Sequence, residues 1–160
     1  MLRLITGLSA LFLLAGAAVA DADVERLLAS ETAPSGVVFE ILEDDDVALA
    51  WALPEVERAA ELLRARFPEL PIAVVTHGQE QFGLLAVEAS GHFGFIHNRA
   101  RALDSSGIDV HVCGAHAGWY GHDAADFPDY VDVAPSGPAL LNDYRALGYA
   151  VVRLEPPSAP

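Results

Sequence analysis

The chain has 160 residues, 52% of them hydrophobic and 20% charged, with 23 acids against 9 bases and a formal net charge of −14. That balance excludes a disordered chain, and it leaves no basic patch to hold nucleic acid or an anionic membrane surface. Every base is an arginine, so Schiff-base chemistry through lysine, pyridoxal phosphate attachment included, is excluded as well.

In chain order, Arg3, the apolar run Leu4 to Ala15 and the small residues Gly16-Ala17-Ala18-Val19-Ala20 read as a secretory signal with an Ala18-x-Ala20 cleavage box. The apolar run is shorter than the ~20 residues that a bilayer span needs. Cleavage is expected after Ala20, which places the mature chain in the periplasm or outside the cell with no stable membrane insertion. Residues 21–35 are polar, with a weak helical pattern in Val24, Leu27 and Leu28, and read as a flexible arm. A single α/β domain is expected over residues 36–155, and residues 156–160 read as a frayed, disordered tail.

Within that domain Val37 to Leu42 predicts a buried first strand, closed by the acidic run Glu43 to Asp46. Pro54 to Phe67 carries apolar residues at helical spacing, with Pro54 in its first turn and Pro68 after its end. A second strand over Pro71 to Thr76 turns at His77-Gly78. Gln79 to Ala89 and about Phe95 to Leu103 predict helices, making a long crossover. Ile108 to Val112 is a third strand that runs into Cys113-Gly114, Val131 to Val133 a short fourth, Pro138 to Leu147 a helix, and Tyr149 to Leu154 a fifth strand. Alternation of strands buried on both faces with helices predicts a three-layer α/β sandwich. Its mainly parallel sheet has about five strands, with helices on both faces.

In such a sheet the strand-to-helix turns gather at the carboxyl edge, where open α/β folds bind ligands. That edge collects Glu43 to Asp46, His77-Gly78, Cys113-Gly114 and Pro135-Ser136-Gly137. Cys113 is the single cysteine, so no internal disulfide is possible and it is an inert buried thiol, an inter-chain partner or a reactive thiol. Its place between a strand and a helix favours thiolate through backbone N–H groups and the helix dipole, whereas a facing acidic run would oppose it. All six histidines lie between residues 77 and 122, but no second cysteine and no His-Glu-x-x-His pattern supports a metal site. No Gly-x-Ser-x-Gly elbow and no glycine-rich phosphate loop is present, so hydrolase and nucleotide readings lack support and no cofactor is implied. Trp119 and Tyr120 read as core packing or a subunit contact ahead of a substrate wall.

The second strand with His77-Gly78, the segment Gly107 to Gly114, Val133-Ala134-Pro135-Ser136-Gly137 and Gly148-Tyr149 together resemble the DsrE family of small α/β proteins, from about Val37 to Leu154. The resemblance implies a homo-oligomer, a trimer or a hexamer, and a cysteine at the Cys113 position that relays sulfur as a persulfide. His77 is then a hydrogen-bond or proton donor at the site, with Gly78, Gly114, Ser136 and Gly137 as pocket residues. Two readings follow. In the first, this is an exported sulfurtransferase-like sulfur carrier whose partners are a sulfane-sulfur compound or a donor or acceptor protein. In the second, it is a non-catalytic oligomeric binding module holding a small ligand or metal at the carboxyl edge.

Overall fold

The computed structural model describes residues 20–156. Residues 1–19 of the expected signal and the last four residues of the expected tail lie outside the described residues. Five strands, β1 (Gly36–Ile41), β2 (Ile72–Thr76), β3 (Ile108–Cys113), β4 (Asp132–Ala134) and β5 (Tyr149–Arg153), form one sheet in the order β4-β3-β2-β1-β5. All four pairings are parallel. The fold is the α/β sandwich that the alternating pattern predicts.

Helices α1 (Ala20–Leu28), α2 (Leu49–Arg66) and α3 (Gly94–Ser105) belong to one face, where Val37, Phe39, Ile41, Val74 and Val110 meet Val56, Leu63 and Leu103 in the main core. Helix α5 (Gly137–Ala146) covers the other face, packing Leu141 on Val38, Ala73 and Val75. One helix cannot cover five strands. β1 and β2 are therefore the strands closed on both faces, whereas Asp109 of β3, Asp132 of β4 and Arg153 of β5 are exposed.

Three segments differ from their sequence reading, each for a physical reason. The arm is anchored rather than loose over its first part: α1 buries Val24, with Leu27 and Leu28 packed against the core. The helix read from Pro54 begins at Leu49, because burial of Leu49, Ala52 and Leu53 recruits another turn and leaves Pro54 inside the helix. The vacancy that Pro54 creates falls on the carbonyl of Ala50, an exposed residue, where solvent can serve it. The helix read over Gln79 to Ala89 is two 3-10 turns, Gln79–Leu84 and Ala86–Glu88, broken at an extended Leu85. Its polar residues Glu80 and Gln81 are wholly buried because they serve backbone groups of neighbouring strands.

Two histidines are held neutral in this framework. His97 of α3 is 1% exposed, with Nδ1 2.5 Å from the Tyr130 hydroxyl, and burial first, then the Arg101 charge, keep its pKa below the usual histidine value. His111 of β3 lies under α5, where burial lowers its pKa against the opposing pull of Asp132 and Asp109. Burial pushes the Tyr144 hydroxyl up to about 12, so it stays protonated, and it shares a hydrogen bond with His111 Nε2 at 2.9 Å. Because both folded-state histidine pKa values lie below the unfolded value of about 6.5, the stability they contribute is present above that pH and lost as pH falls through the folded values. The melting temperature should therefore hold near neutrality and decline below about pH 6.5. His97→Gln should flatten the decline, and an unchanged slope in a pH series of thermal melts would refute the assignment.

Candidate functional site at the carboxyl edge

The site is built where β2 and β3 end together. The last register pair is Thr76 with Val112, so the next residues along, His77 and Cys113, emerge side by side. Strand alternation puts both on the α5 face, opposite the main core.

Cys113 is 4% exposed. Its N–H donates to Gln81 Oε1 at 2.8 Å, which fixes the strand end against the first 3-10 turn. It also occupies the N-cap of the short helix α4 (Gly114–Trp119), where Sγ accepts the His116 N–H at 3.4 Å. The thiol is thus both the end of the strand and the cap of the helix. Gly114 starts that helix in close contact with the end of β4, since a Cβ there would lie 3.0 Å from the Ala134 carbonyl oxygen.

Beneath the neighbouring turn lies Glu80, a carboxylate with no exposed surface. It accepts N–H groups from Glu43 at 2.8 Å, Gly78 at 2.9 Å and His77 at 3.1 Å, and also the Thr76 hydroxyl. These contacts tie the end of β1 to the end of β2. They need glycine at residue 78, because a Cβ there would fall 2.3 Å from Glu80 Oε2 and 2.4 Å from the Glu43 carbonyl oxygen. The same crowding holds Glu43 close to Glu80, and burial followed by that like charge raises the Glu43 pKa.

The imidazoles are oriented by this frame. His77 Nε2 is 2.9 Å from Glu40 Oε1, the inward carboxylate of β1, so that nitrogen carries the proton. His116 Nδ1 is 2.9 Å from the His77 carbonyl oxygen, which can only accept, so there too the proton is assigned. His77 Nδ1 and His116 Nε2 are left as the basic nitrogens. Glu40, His77 and Cys113 form a carboxylate–imidazole–thiol series running across three adjacent strands.

Helix α5 closes the site from above the sheet. Ser136 caps it, its Oγ accepting the Ala139 N–H at 3.4 Å, and so serves the helix rather than acting as a nucleophile. Gly137 is the closest approach: a Cβ there would stand 2.6 Å from His77 Cβ and 3.3 Å from Cys113 Cβ. A cavity of about 310 Å³ remains, bounded by Cys113 and His77, by His116 and Trp119 of α4, and by Ser136 and Pro138 at the start of α5. Trp119 is 79% exposed with its ring 5.5 Å from that of His116, and Tyr120 is 54% exposed with its ring 5.0 Å from that of Phe82. Neither aromatic belongs to the protomer core. A larger groove of about 600 Å³ between α2 and α3 holds no nucleophile, and its arginines are already engaged, Arg99 with Glu57 and Arg64 with the Ser106 and Gly107 carbonyls.

Of the residues that the sequence nominated, Cys113, His77 and Ser136 bound the cavity and Gly137 lies against His77 and Cys113, whereas Gly78 packs against Glu80 and Glu43 and Gly114 against Ala134, and neither of these two lines it. Glu40, Glu80, Gln81 and His116 were not nominated, and the single available signal was the presence of two polar residues, Glu80 and Gln81, directly after the second strand. Among the described residues no three of histidine, cysteine, aspartate and glutamate converge to hold a metal ion.

The chain is similar to the solved structure of a protein of unknown function, MTH1491, from Methanobacterium thermoautotrophicum, at 24% identity over 73% of this chain and 96% of that one, with a TM-score of 0.59. It is also similar to the ychN protein of E. coli, at 15% identity over 74% of this chain and 99% of that one, with a TM-score of 0.56. The fold is DsrE-like. No protein-family model matches the chain, and no curated protein matches it.

The Glu80 carboxylate is the most consequential single group of the frame. Glu80→Gln replaces an oxygen acceptor by a donor against buried N–H groups, and a loss of about 3 kcal/mol in chemical denaturation is expected. Gly137→Ala should leave stability less affected yet displace His77 from Glu40, slowing thiol modification in the folded protein.

Proposed function

We propose that this chain is an exported sulfur carrier that holds a persulfide on Cys113. The observation that supports the reading best is the Glu40–His77–Cys113 series at the edge of a cavity in a DsrE-like fold. Its structural relatives show the fold, and the sulfur chemistry is inferred from the site.

In the proposed cycle the Cys113 proton passes to His77 Nδ1 or His116 Nε2, whose opposite nitrogens are anchored by Glu40 and the His77 carbonyl. The thiolate attacks the outer sulfur of a sulfane donor. A new S–S bond forms, the donor S–S bond breaks, and its electron pair leaves with the donor thiolate, which takes the parked proton. In the second half an acceptor thiolate attacks the outer sulfur of the Cys113 persulfide, and Cys113 thiolate departs. The His116 N–H that points at Sγ stabilises negative charge on that sulfur. Oxidation levels are conserved throughout, so the cycle needs no external oxidant.

The partners in this proposal are a small sulfane compound or a donor or acceptor protein, reached in the periplasm or outside the cell. The assembly is proposed to be a trimer or a multiple of three, which would give the exposed Tyr120 side chain a subunit to pack against while Trp119 stays on the cavity. A sedimentation profile of a monomer at micromolar concentration would refute the assembly.

Intact mass spectrometry of purified protein after exposure to a sulfane donor tests the chemistry. A gain of about 32 Da, one sulfur atom, is expected in the native chain and absent in Cys113→Ser. His77→Gln should slow the gain by about a hundredfold and Glu40→Gln by less, because Glu40 acts by holding the imidazole. If the native chain gains no sulfur without reductant present, the carboxyl edge is a binding site rather than a relay.

A further inference from the structure

We propose that the cavity at Cys113 selects its sulfur donor by charge, accepting an organic persulfide whose body beside the sulfur is uncharged and apolar and rejecting sulfonate-type dianions such as thiosulfate, with Trp119 as the specificity-determining contact. The choice of donor rests on the sulfur-carrier reading, whereas the charge selectivity of the cavity does not.

The argument starts from what the cavity lacks. Neither arginine nor lysine bounds it, and the chain contains no lysine at all. The arginine on the same face of the sheet is Arg153, which stands opposite Glu40 in the β1–β5 register and acts on the Glu43 carboxylate as well. Two carboxylates therefore share its charge before it can reach a ligand. The His77 imidazole is matched by Glu40 in the same way. Recognition of a sulfonate needs cations or a set of free N–H donors, because desolvating a dianion without them is heavily unfavourable.

Several of the N–H donors beside the cavity are also committed. On α4 the Ala115 N–H goes to the Pro135 carbonyl at 3.1 Å and the His116 N–H to Sγ at 3.4 Å. On α5 the Ala139 N–H goes to Ser136 Oγ, and Pro138 has no N–H to give. His116 points its one ring N–H at the His77 carbonyl. What bounds the space for an incoming donor is a thiol, one hydroxyl, two imidazoles each with a ring nitrogen uncommitted, and apolar surface, with no cation among them.

That apolar surface is Trp119 with Ala115 and Pro138. Trp119 is held from one side by the His116 ring and leaves most of its surface uncovered, so a donor body laid against it buries area that water now covers. The volume of about 310 Å³ suits a small molecule. With such a donor, R–S–S–H, the Cys113 thiolate takes the outer sulfur and R–S⁻ departs with one charge, neutralised by the proton from the thiol. Thiosulfate must instead release sulfite, a dianion, into a cavity that offers no cation to meet it.

The test compares benzyl hydropersulfide with thiosulfate at equal concentration and reads the sulfur gain on Cys113 by intact mass spectrometry. The organic donor should load at least about tenfold faster, and the ratio should survive 1 M salt, at which surface charge is screened to about 3 Å. Trp119→Ala should slow the organic donor by about tenfold without helping thiosulfate, whereas Trp119→Arg should speed thiosulfate. Equal loading, or a ratio that Trp119→Ala leaves unchanged, would overturn the proposal. A second pair of probes, neutral benzyl methanethiosulfonate and anionic sulfonatoethyl methanethiosulfonate, reads the same selectivity through simple disulfide formation. Preference for the neutral reagent with no sulfur gain from either donor would sink the carrier reading and leave the charge selectivity standing. No preference between these reagents would sink the selectivity itself.

Discussion

Everything at the carboxyl edge hangs on one buried carboxylate. Backbone N–H groups just past strand ends run out of ladder partners, and in a parallel sheet they converge where the chain must also leave for the next helix. Glu80 gathers those of Glu43, His77 and Gly78 around a single charge, with the Thr76 hydroxyl completing the set. A charge with no exposed surface is tolerable because its lone pairs are filled by donors, of which the Glu43 and Gly78 N–H groups have no other partner among the described residues and the His77 N–H also reaches the Ile41 carbonyl at 3.2 Å. The turn that results is too tight for a side chain at residue 78, and it delivers His77 to the one position from which Glu40 can hold it.

From that anchor the rest of the site follows by adjacency. Register places Cys113 beside His77, the cap of α4 places an N–H on the thiol, and α5 lies close enough over both that only glycine fits at residue 137. The arrangement separates structural polarity from chemical polarity. Glu80 and Gln81 spend their oxygens on the backbone, whereas the imidazoles of His77 and His116 each keep one nitrogen unspent.

The sheet was legible in the sequence because runs such as Val37 to Ile41 and Ile72 to Thr76 are apolar and β-branched, bounded by turns, and placed between helical patterns. Their convergence on one edge is a property of topology, so Cys113 and His77 could be paired without knowing a distance. Hydrogen-bond partnership was not legible. Glu80 follows a turn as an ordinary acidic residue would, and only three-dimensional placement turns it inward against a helical reading of its segment. Glu40 read as one polar interruption of an apolar strand, and its value comes from strand alternation aiming it at His77. The start of α2 was misplaced because a proline marks the first turn of a helix more often than its interior, and burial of Leu49 and Leu53 outweighed that preference.

The connection from β4 to β5 spans the full width of the sheet, since β4 and β5 are its two edge strands. The helix that roofs the thiol and the strand that pairs with β1 therefore follow every other element of the sheet in chain order, and they depend on contacts with its first strand. A chain emerging from a ribosome or a membrane channel has every other wall of the cavity before it has this one. Until α5 docks, Cys113 lacks its cover and His77 its nearest neighbour on the helix side. The reactive geometry is thus a late product of assembly, set when the two ends of the domain meet.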